Sequence, residues 1–124
     1  MQIKAIIFDW GRVLFDSETK KDFSEAEDVV MFCKNRGLRL AVASLVSASS
    51  NANLKERKNQ IESSNLRKFF EFVRVTEGDK DLIFDEIVEK LGLPREEILI
   101  VDDRTLKSII VQAELSSDEI KFFF

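Results

Sequence analysis

Three short stretches of this chain are apolar at every position, and they restrict its fold more than any other feature. They are Ile6-Ile7-Phe8, Leu40-Ala41-Val42-Ala43 and Ile98-Leu99-Ile100-Val101. A strand with one face in water alternates apolar and polar residues, whereas a strand that helices cover on both faces is continuously apolar. The three runs therefore predict a parallel sheet at the centre of an α/β protein.

The segments between these runs have helical patterns, so strands and helices alternate along the chain. Ser24 and Glu27 form a capping-box pattern for the first helix, and Asp79 or Asp81 can cap the third, which Gly92 ends. We predict strands at 3–8, 38–43, 71–75, 97–101 and 119–124, and helices at 24–36, 54–64, 79–91 and 105–115. This alternation predicts a three-layer α/β sandwich around a parallel five-stranded sheet.

The composition indicates one globular domain and excludes several kinds of partner. With 124 residues, of which 44% are apolar and 34% charged, we expect a single domain over 1–124. The net charge is −4 with basic residues scattered among acidic ones, so we expect no nucleic-acid partner. No apolar stretch approaches the length of a membrane span and no signal-peptide pattern opens the chain. We therefore expect no membrane partner and a cytoplasmic location, which the single cysteine also fits.

The chain contains no histidine, which removes Ser-His-Asp and Cys-His catalysis and histidine-ligated zinc sites. Cys33 and Arg39 match the C-x5-R spacing of cysteine phosphatases. Cys33 lies in an apolar helical stretch, however, and we interpret it as a core residue. We interpret the basic run Lys55-Glu56-Arg57-Lys58 as a solvated helix face.

Polar side chains follow each of the first four predicted strands. Asp9 follows the first strand, Ser44 the second and Lys80 the third, and Asp102 and Asp103 follow the fourth. Because the carboxyl ends of parallel strands meet at one edge of a sheet, we expect these side chains to converge. Carboxylates without histidine suit Mg²⁺, and a lysine with a hydroxyl suits an anionic substrate. The set favours phosphoryl transfer.

Some of these residues also have structural interpretations. Ser44 could cap the next loop, Lys80 could be a solvated lysine in a first helical turn, and Asp103 could cap the following helix. Asp9 and Asp102 are harder to explain in this way, because a carboxylate at the end of a buried strand is costly to desolvate.

The same segments, taken in order, resemble the four motifs of the haloacid dehalogenase (HAD) superfamily, most members of which are Mg²⁺-dependent phosphatases. The matching segments are 8–17, Ala43-Ser44, Lys80 and Val101-Asp102-Asp103. The resemblance implies a Rossmann-like HAD core, Mg²⁺ as cofactor and a phosphorylated substrate. There is room for only one helix between the first two motifs and no insertion after the second, so we expect no cap domain. An open crevice would suit a bulky substrate or a partner protein.

The resemblance also implies a role for each residue. Asp9 would be the nucleophile, forming an aspartyl-phosphate, and a Mg²⁺ ligand. Ser44 would hydrogen-bond the phosphoryl oxygens, and Lys80 would neutralise the phosphate and the nucleophile. Asp102 would bind Mg²⁺ directly, and Asp103 would bind it through water or orient Lys80.

Two residues depart from the family pattern. Gly11 stands where the phosphatases usually carry a second aspartate, a general acid and base worth ~10²–10⁴ in rate. We therefore expect slow phosphomonoester hydrolysis, with the Gly11 carbonyl still available to Mg²⁺. Arg12 stands where glycine is common, and it could contact the substrate or point outward.

Two other functions, and the role of the terminal segment, stay open. The chain could be a non-catalytic module that binds Mg²⁺, a phosphorylated ligand or a partner. A 2-haloacid dehalogenase-type hydrolase ranks last, because Lys80 and the Asp102-Asp103 pair favour a Mg²⁺ site. The terminal run Phe122-Phe123-Phe124 could belong to the core, form a dimer contact or be an exposed sheet edge.

Overall fold

The computed structural model describes residues 3–11, 13–16, 19–23, 25–46 and 53–101. Their elements are β1 (Ala5–Phe8), β2 (Phe15–Asp16), β3 (Lys21–Asp22), α1 (Ala26–Asn35), β4 (Arg39–Leu45), α2 (Leu54–Glu62), β5 (Phe72–Thr76), α3 (Lys80–Leu91) and β6 (Ile98–Val101). Short 3₁₀ turns at Arg67–Phe69 and Arg95–Glu97 precede β5 and β6. None of the helices in these ranges has the length and apolarity needed to cross a membrane.

The central sheet contains four parallel strands in the order β5-β4-β1-β6. In β1, Phe8 pairs with Val42 of β4 on one side and with Val101 of β6 on the other. The predicted parallel α/β sheet is thus confirmed for four strands. The predicted fifth strand at 119–124 and the last helix at 105–115 lie outside the described residues.

Helices cover both faces of the sheet, which explains why its inner strands are apolar throughout. On one face, Ile6 and Phe8 of β1 pack in a cluster with Val30 of α1 and Ile61 of α2. On the other face, the intervening residues of β1 and β4 pack against α3. Successive strand residues point to opposite faces, so each strand contributes to both cores.

The helix boundaries agree with the sequence signals at α3 and differ at α1. Asp79 caps α3 by accepting a hydrogen bond from the backbone N–H of Asp81 at 2.9 Å. Gly92 ends α3 with a φ of 68°, a left-handed conformation that glycine adopts without steric cost. The N-cap of α1 is Glu25, whose side chain makes no capping hydrogen bond. The helix begins at Ala26, and Ser24, which we predicted as its cap, lies outside the described residues.

The chain between β1 and α1 forms a small antiparallel hairpin that the sequence did not predict. Phe15 of β2 pairs with Asp22 of β3, and Lys20 in the connection has a φ of 58°. Phe15 stacks on the Trp10 ring with centroids 5.6 Å apart. Two-residue strands give no periodic signal in a sequence, so their position depends on such tertiary contacts. Between β1 and β4, the described residues form this hairpin and α1 rather than a cap domain.

Candidate active site

Asp9 lies at the carboxyl end of β1 and is fixed by both its backbone and its side chain. Its N–H donates to the Val101 carbonyl at 2.9 Å, continuing the β1–β6 pairing. Its Oδ1 accepts a hydrogen bond from the Trp10 N–H at 2.7 Å, and its Oδ2 lies 3.2 Å from the Lys80 Nζ. The carboxylate therefore has one oxygen held by the backbone and one facing a cation.

Lys80 is the first residue of α3, which follows β5, and its side chain reaches Asp9. Its side chain is only 20% exposed, and its Nζ also lies 5.4 Å from the centre of the Phe84 ring. The ring and the carboxylate hold the ammonium at the carboxyl end of β1. Lys80 is thus directed at the strand ends rather than at solvent.

Ser44 is a residue of β4 itself, because the strand continues to Leu45 instead of ending at residue 43 as predicted. Its side chain is fully buried, and its Oγ accepts a hydrogen bond from Nη1 of Arg57 at 2.7 Å. Ser44 therefore meets a buried cation, whereas the loop at 47–52 that it could cap lies outside the described residues.

Arg57 is a site residue that the sequence analysis missed. We predicted a solvated helix face for this segment, and for Arg57 that prediction is wrong, since only 4% of the residue is exposed. It shares the inner face of α2 with Ile61, one helical turn further on, and its Nε donates to Gln60 at 3.2 Å. The signal available in the sequence was the helical spacing of 57 and 61, which the charged neighbours obscured.

The electrostatics connect Arg57 to Asp9. Burial lowers the pKa of the Arg57 guanidinium, because desolvation disfavours its charged form. The negative charge of Asp9 acts in the opposite direction and raises that pKa. Asp9 thus faces Lys80 directly and interacts with Arg57 through its charge.

The remaining predicted site residues are only partly described. Gly11 forms a backbone bridge with Phe15, whereas Arg12, Asp102 and Asp103 lie outside the described residues. Within the described ranges, no three acidic or cysteine side chains form a group that could hold a metal ion. The predicted ligands Asp102 and Asp103 are not among the residues in those ranges, so the Mg²⁺ site stays a prediction. Asp102 follows Val101 directly, and the Val101 carbonyl accepts a hydrogen bond from the Asp9 N–H.

No protein-family model and no curated protein matches this chain. Among solved structures, an uncharacterized protein from Listeria monocytogenes serotype 4b matches with a TM-score of 0.62 and 14% identity, over 79% of this chain and 66% of that chain. A second match is the N-terminal part of BF1531 from Bacteroides fragilis, which contains a phosphatase domain and is complexed with Mg. Its TM-score is 0.60 and its identity 14%, over 99% of this chain and 38% of that chain. A protein from Streptomyces avermitilis named in the HAD family of hydrolases matches with a TM-score of 0.49 and 22% identity, over 82% of this chain and 61% of that chain.

These comparisons define the class of fold. The chain shares its α/β fold, with a parallel sheet whose first strand ends at Asp9, with the structure that contains the Bacteroides phosphatase domain. It spans between 38% and 66% of the length of these three chains. At identities of 14–22% the likeness is one of fold, so the chemistry has to be argued from the residues of this chain.

Proposed function

We propose that this chain is a slow Mg²⁺-dependent phosphomonoester hydrolase that uses Asp9 as its nucleophile. The observation that carries the proposal is the Asp9–Lys80 pair, with Oδ2 and Nζ 3.2 Å apart at the carboxyl end of β1. The likeness to a phosphatase domain complexed with Mg supports the choice of reaction and of metal.

The reaction would proceed in two displacements. An Asp9 carboxylate oxygen attacks phosphorus, the bond from phosphorus to the leaving oxygen breaks, and an aspartyl-phosphate forms. Water then attacks that phosphorus, the bond to Asp9 breaks, and inorganic phosphate leaves while the carboxylate is regenerated. Lys80 neutralises the negative charge that accumulates as nucleophile and phosphate approach, and the Ser44 hydroxyl donates to a phosphoryl oxygen.

The metal would be held by Asp9, the Gly11 carbonyl, Asp102 and Asp103. When bound, Mg²⁺ supplies further neutralisation of the phosphoryl oxygens. Oxygen ligands alone are the set that this ion prefers.

Gly11 explains why we propose a slow enzyme. It has no side chain that could protonate the leaving oxygen, so this oxygen must take its proton from water. Such a site favours esters with a good leaving group, for which general acid catalysis matters least. Without a cap domain, as the sequence predicts, the site would have room for a bulky phosphoester.

The test is hydrolysis of p-nitrophenyl phosphate with and without Mg²⁺ by the protein and by Asp9→Asn. We expect Mg²⁺-dependent turnover that falls to background in Asp9→Asn, because an amide is not a nucleophile of this kind. Asp28→Asn, an exposed change on α1, is the matched control and should keep full activity. Turnover that survives in Asp9→Asn would overturn the proposal.

A non-catalytic binding module is the second candidate, and the lack of an acidic side chain at Gly11 favours it. In that case Mg²⁺ or inorganic phosphate would raise the melting temperature, and a broad panel of phosphoesters would show no turnover. Robust hydrolysis of any member of the panel would exclude this alternative.

A further inference from the structure

Two cationic side chains lie next to Asp9 and Ser44 in the described part of the site. Lys80 and Arg57 are its cations, and Asp9 is the carboxylate that faces them. We propose that Arg57 is a second anion-binding group of this site, which together with Ser44 and Lys80 binds a phosphate dianion without any metal.

The hydrogen bond between Arg57 and Ser44 also sets the direction of the serine hydroxyl. A hydroxyl has one hydrogen to donate, and the guanidinium of Arg57 has only donors. Nη1 of Arg57 therefore donates to Ser44 Oγ at 2.7 Å, and the Ser44 hydrogen stays available to an acceptor. Arg57 holds Ser44 as a donor to an anion, which is what the proposed role of Ser44 requires.

Packing alone gives little reason to place an arginine at this position. Arg57 lies one turn before Ile61 on the inner face of α2, where an apolar side chain would complete the core. Burying a guanidinium costs several kcal/mol of desolvation, which its hydrogen bonds to Ser44 and Gln60 only partly offset. A buried ionisable group that interacts with a specific charged partner is typical of functional sites.

This inference rests on the proposed function for the location of the site, but it concerns binding and not turnover. It predicts that inorganic phosphate binds in the presence of EDTA. The phosphoryl group of an ester has the same chemistry as free phosphate, so both sources need testing. Phenylphosphonate carries a comparable dianion on carbon and cannot be hydrolysed, which makes it the probe for an ester-like ligand.

The experiment is a titration of the whole chain with phosphate in EDTA at about pH 8, above the second pKa of a phosphate group. Trp10 is the single tryptophan and follows Asp9 directly, so its fluorescence reports binding. Sodium chloride keeps the ionic strength constant and serves as the monoanion control. The variants are Arg57→Met, Arg57→Lys and, as matched control, Lys58→Met on the exposed side of α2.

We expect Arg57→Met to weaken phosphate binding at least about tenfold, Arg57→Lys to retain part of the affinity, and Lys58→Met to stay within about twofold of the original protein. The affinities of the variants for phenylphosphonate should have the same order. Urea unfolding without phosphate should show Arg57→Met folded and no less stable than Arg57→Lys, since an apolar side chain of similar length replaces the buried charge. If Arg57→Met does not fold, the comparison of Arg57→Lys with Lys58→Met decides.

Asp9→Asn separates this inference from the proposed function. It should be inactive, yet it should bind phosphate about threefold more tightly or better, because the carboxylate that repels the anion is gone. Binding by an inactive wild-type protein would refute catalysis and support the anion site. Equal phosphate affinity in Arg57→Met and Lys58→Met, or binding only when Mg²⁺ is present, would overturn the inference, even in an active enzyme.

Discussion

At the scale of single residues, Lys80 is the group whose contacts most clearly separate a functional role from a structural one. Its ammonium contacts the Asp9 carboxylate and the Phe84 ring, and it is partly open to solvent. We predict that Lys80→Met lowers kcat/KM for p-nitrophenyl phosphate by about 10²–10³, the usual effect of losing one charge-stabilising donor. The free energy of unfolding should change by no more than about 1 kcal/mol, because the ion pair is partly solvated.

Lys90→Met is the control for this prediction. Lys90 is near the other end of α3, and its Nζ also lies over an aromatic ring, that of Phe72, at 5.7 Å. The two substitutions therefore remove the same charge and a similar ring contact from one helix. If both variants had the same kcat/KM, Lys80 would have no part in catalysis.

The residues of the site differ in how well a sequence can reveal them. Asp9 and Lys80 could be placed together because each follows a strand of recognisable pattern, and parallel strands end at one edge. Arg57 could not, since it lies between Glu56 and Lys58, and a charged run normally marks a solvated face. Its burial depends on how α2 packs beside β4 and β5, which no local pattern encodes.

At the scale of elements, an ion pair joins the first residue of β4 to the segment just before β5. Nε and Nη2 of Arg39 donate to the Glu71 carboxylate at 2.8–3.1 Å, and Nη1 donates to the Leu91 carbonyl at 2.8 Å. Arg39 thus also reaches the last residue of α3. The hydrogen bonds from Arg39 lower the pKa of Glu71, and the hydrogen bond to Glu71 raises the pKa of Arg39.

The lowered pKa of Glu71 predicts how stability depends on acid. A carboxylate with a lower pKa when folded stabilises the protein above its unfolded pKa of about 4.3, and this contribution is lost as the pH falls through the folded value. Glu71→Gln should lower the urea midpoint at neutral pH and make it less sensitive to pH below about 4. Glu89→Gln, a change at an exposed position on α3, should leave the pH dependence of the urea midpoint unchanged. An unchanged acid profile in Glu71→Gln would refute the role of this pair.

The elements themselves were largely predictable. Within the described residues, the strands and helices that pattern and caps indicated appear within about two residues of their predicted limits, which is ordinary for element ends. The hairpin of β2 and β3 was not predicted, because its pairing is stabilised by the stacking of Phe15 on Trp10. Its strands are too short to show alternation.

At the scale of the whole molecule, both cores depend on the same sheet. Residues of β1 alternate between the cluster shared with α1 and α2 and the cluster shared with α3. The strand ends that carry Asp9 and Ser44 are therefore fixed by packing on both faces. Because the two cores share these strands, we expect the described core to unfold in one cooperative transition.

Cys33 provides a direct test of that cooperativity. It is the single cysteine of the chain, it lies on α1 in the core cluster, and burial raises the pKa of its thiol. These facts confirm the interpretation of Cys33 as a core residue. They also argue against a cysteine phosphatase, because Cys33 is buried in the core. The arginine at the matching C-x5-R spacing, Arg39, is paired with Glu71. We predict that the folded protein reacts with a thiol reagent at neutral pH at least about a hundredfold more slowly than the urea-unfolded chain, since only the exposed thiolate is reactive.

In a urea titration, the reaction of Cys33 with the thiol reagent should then show the same midpoint as circular dichroism and Trp10 fluorescence. Trp10 is also fully buried in this cluster, whereas circular dichroism averages over all the helices. Cys33→Ala removes the signal and is the control for non-specific labelling. It should lower the free energy of unfolding by less than about 2 kcal/mol, because the cavity left by one sulfur atom is small. Labelling well before the fluorescence midpoint would show that α1 detaches alone, and the cooperative unit would then be smaller than the sheet with its two covering layers.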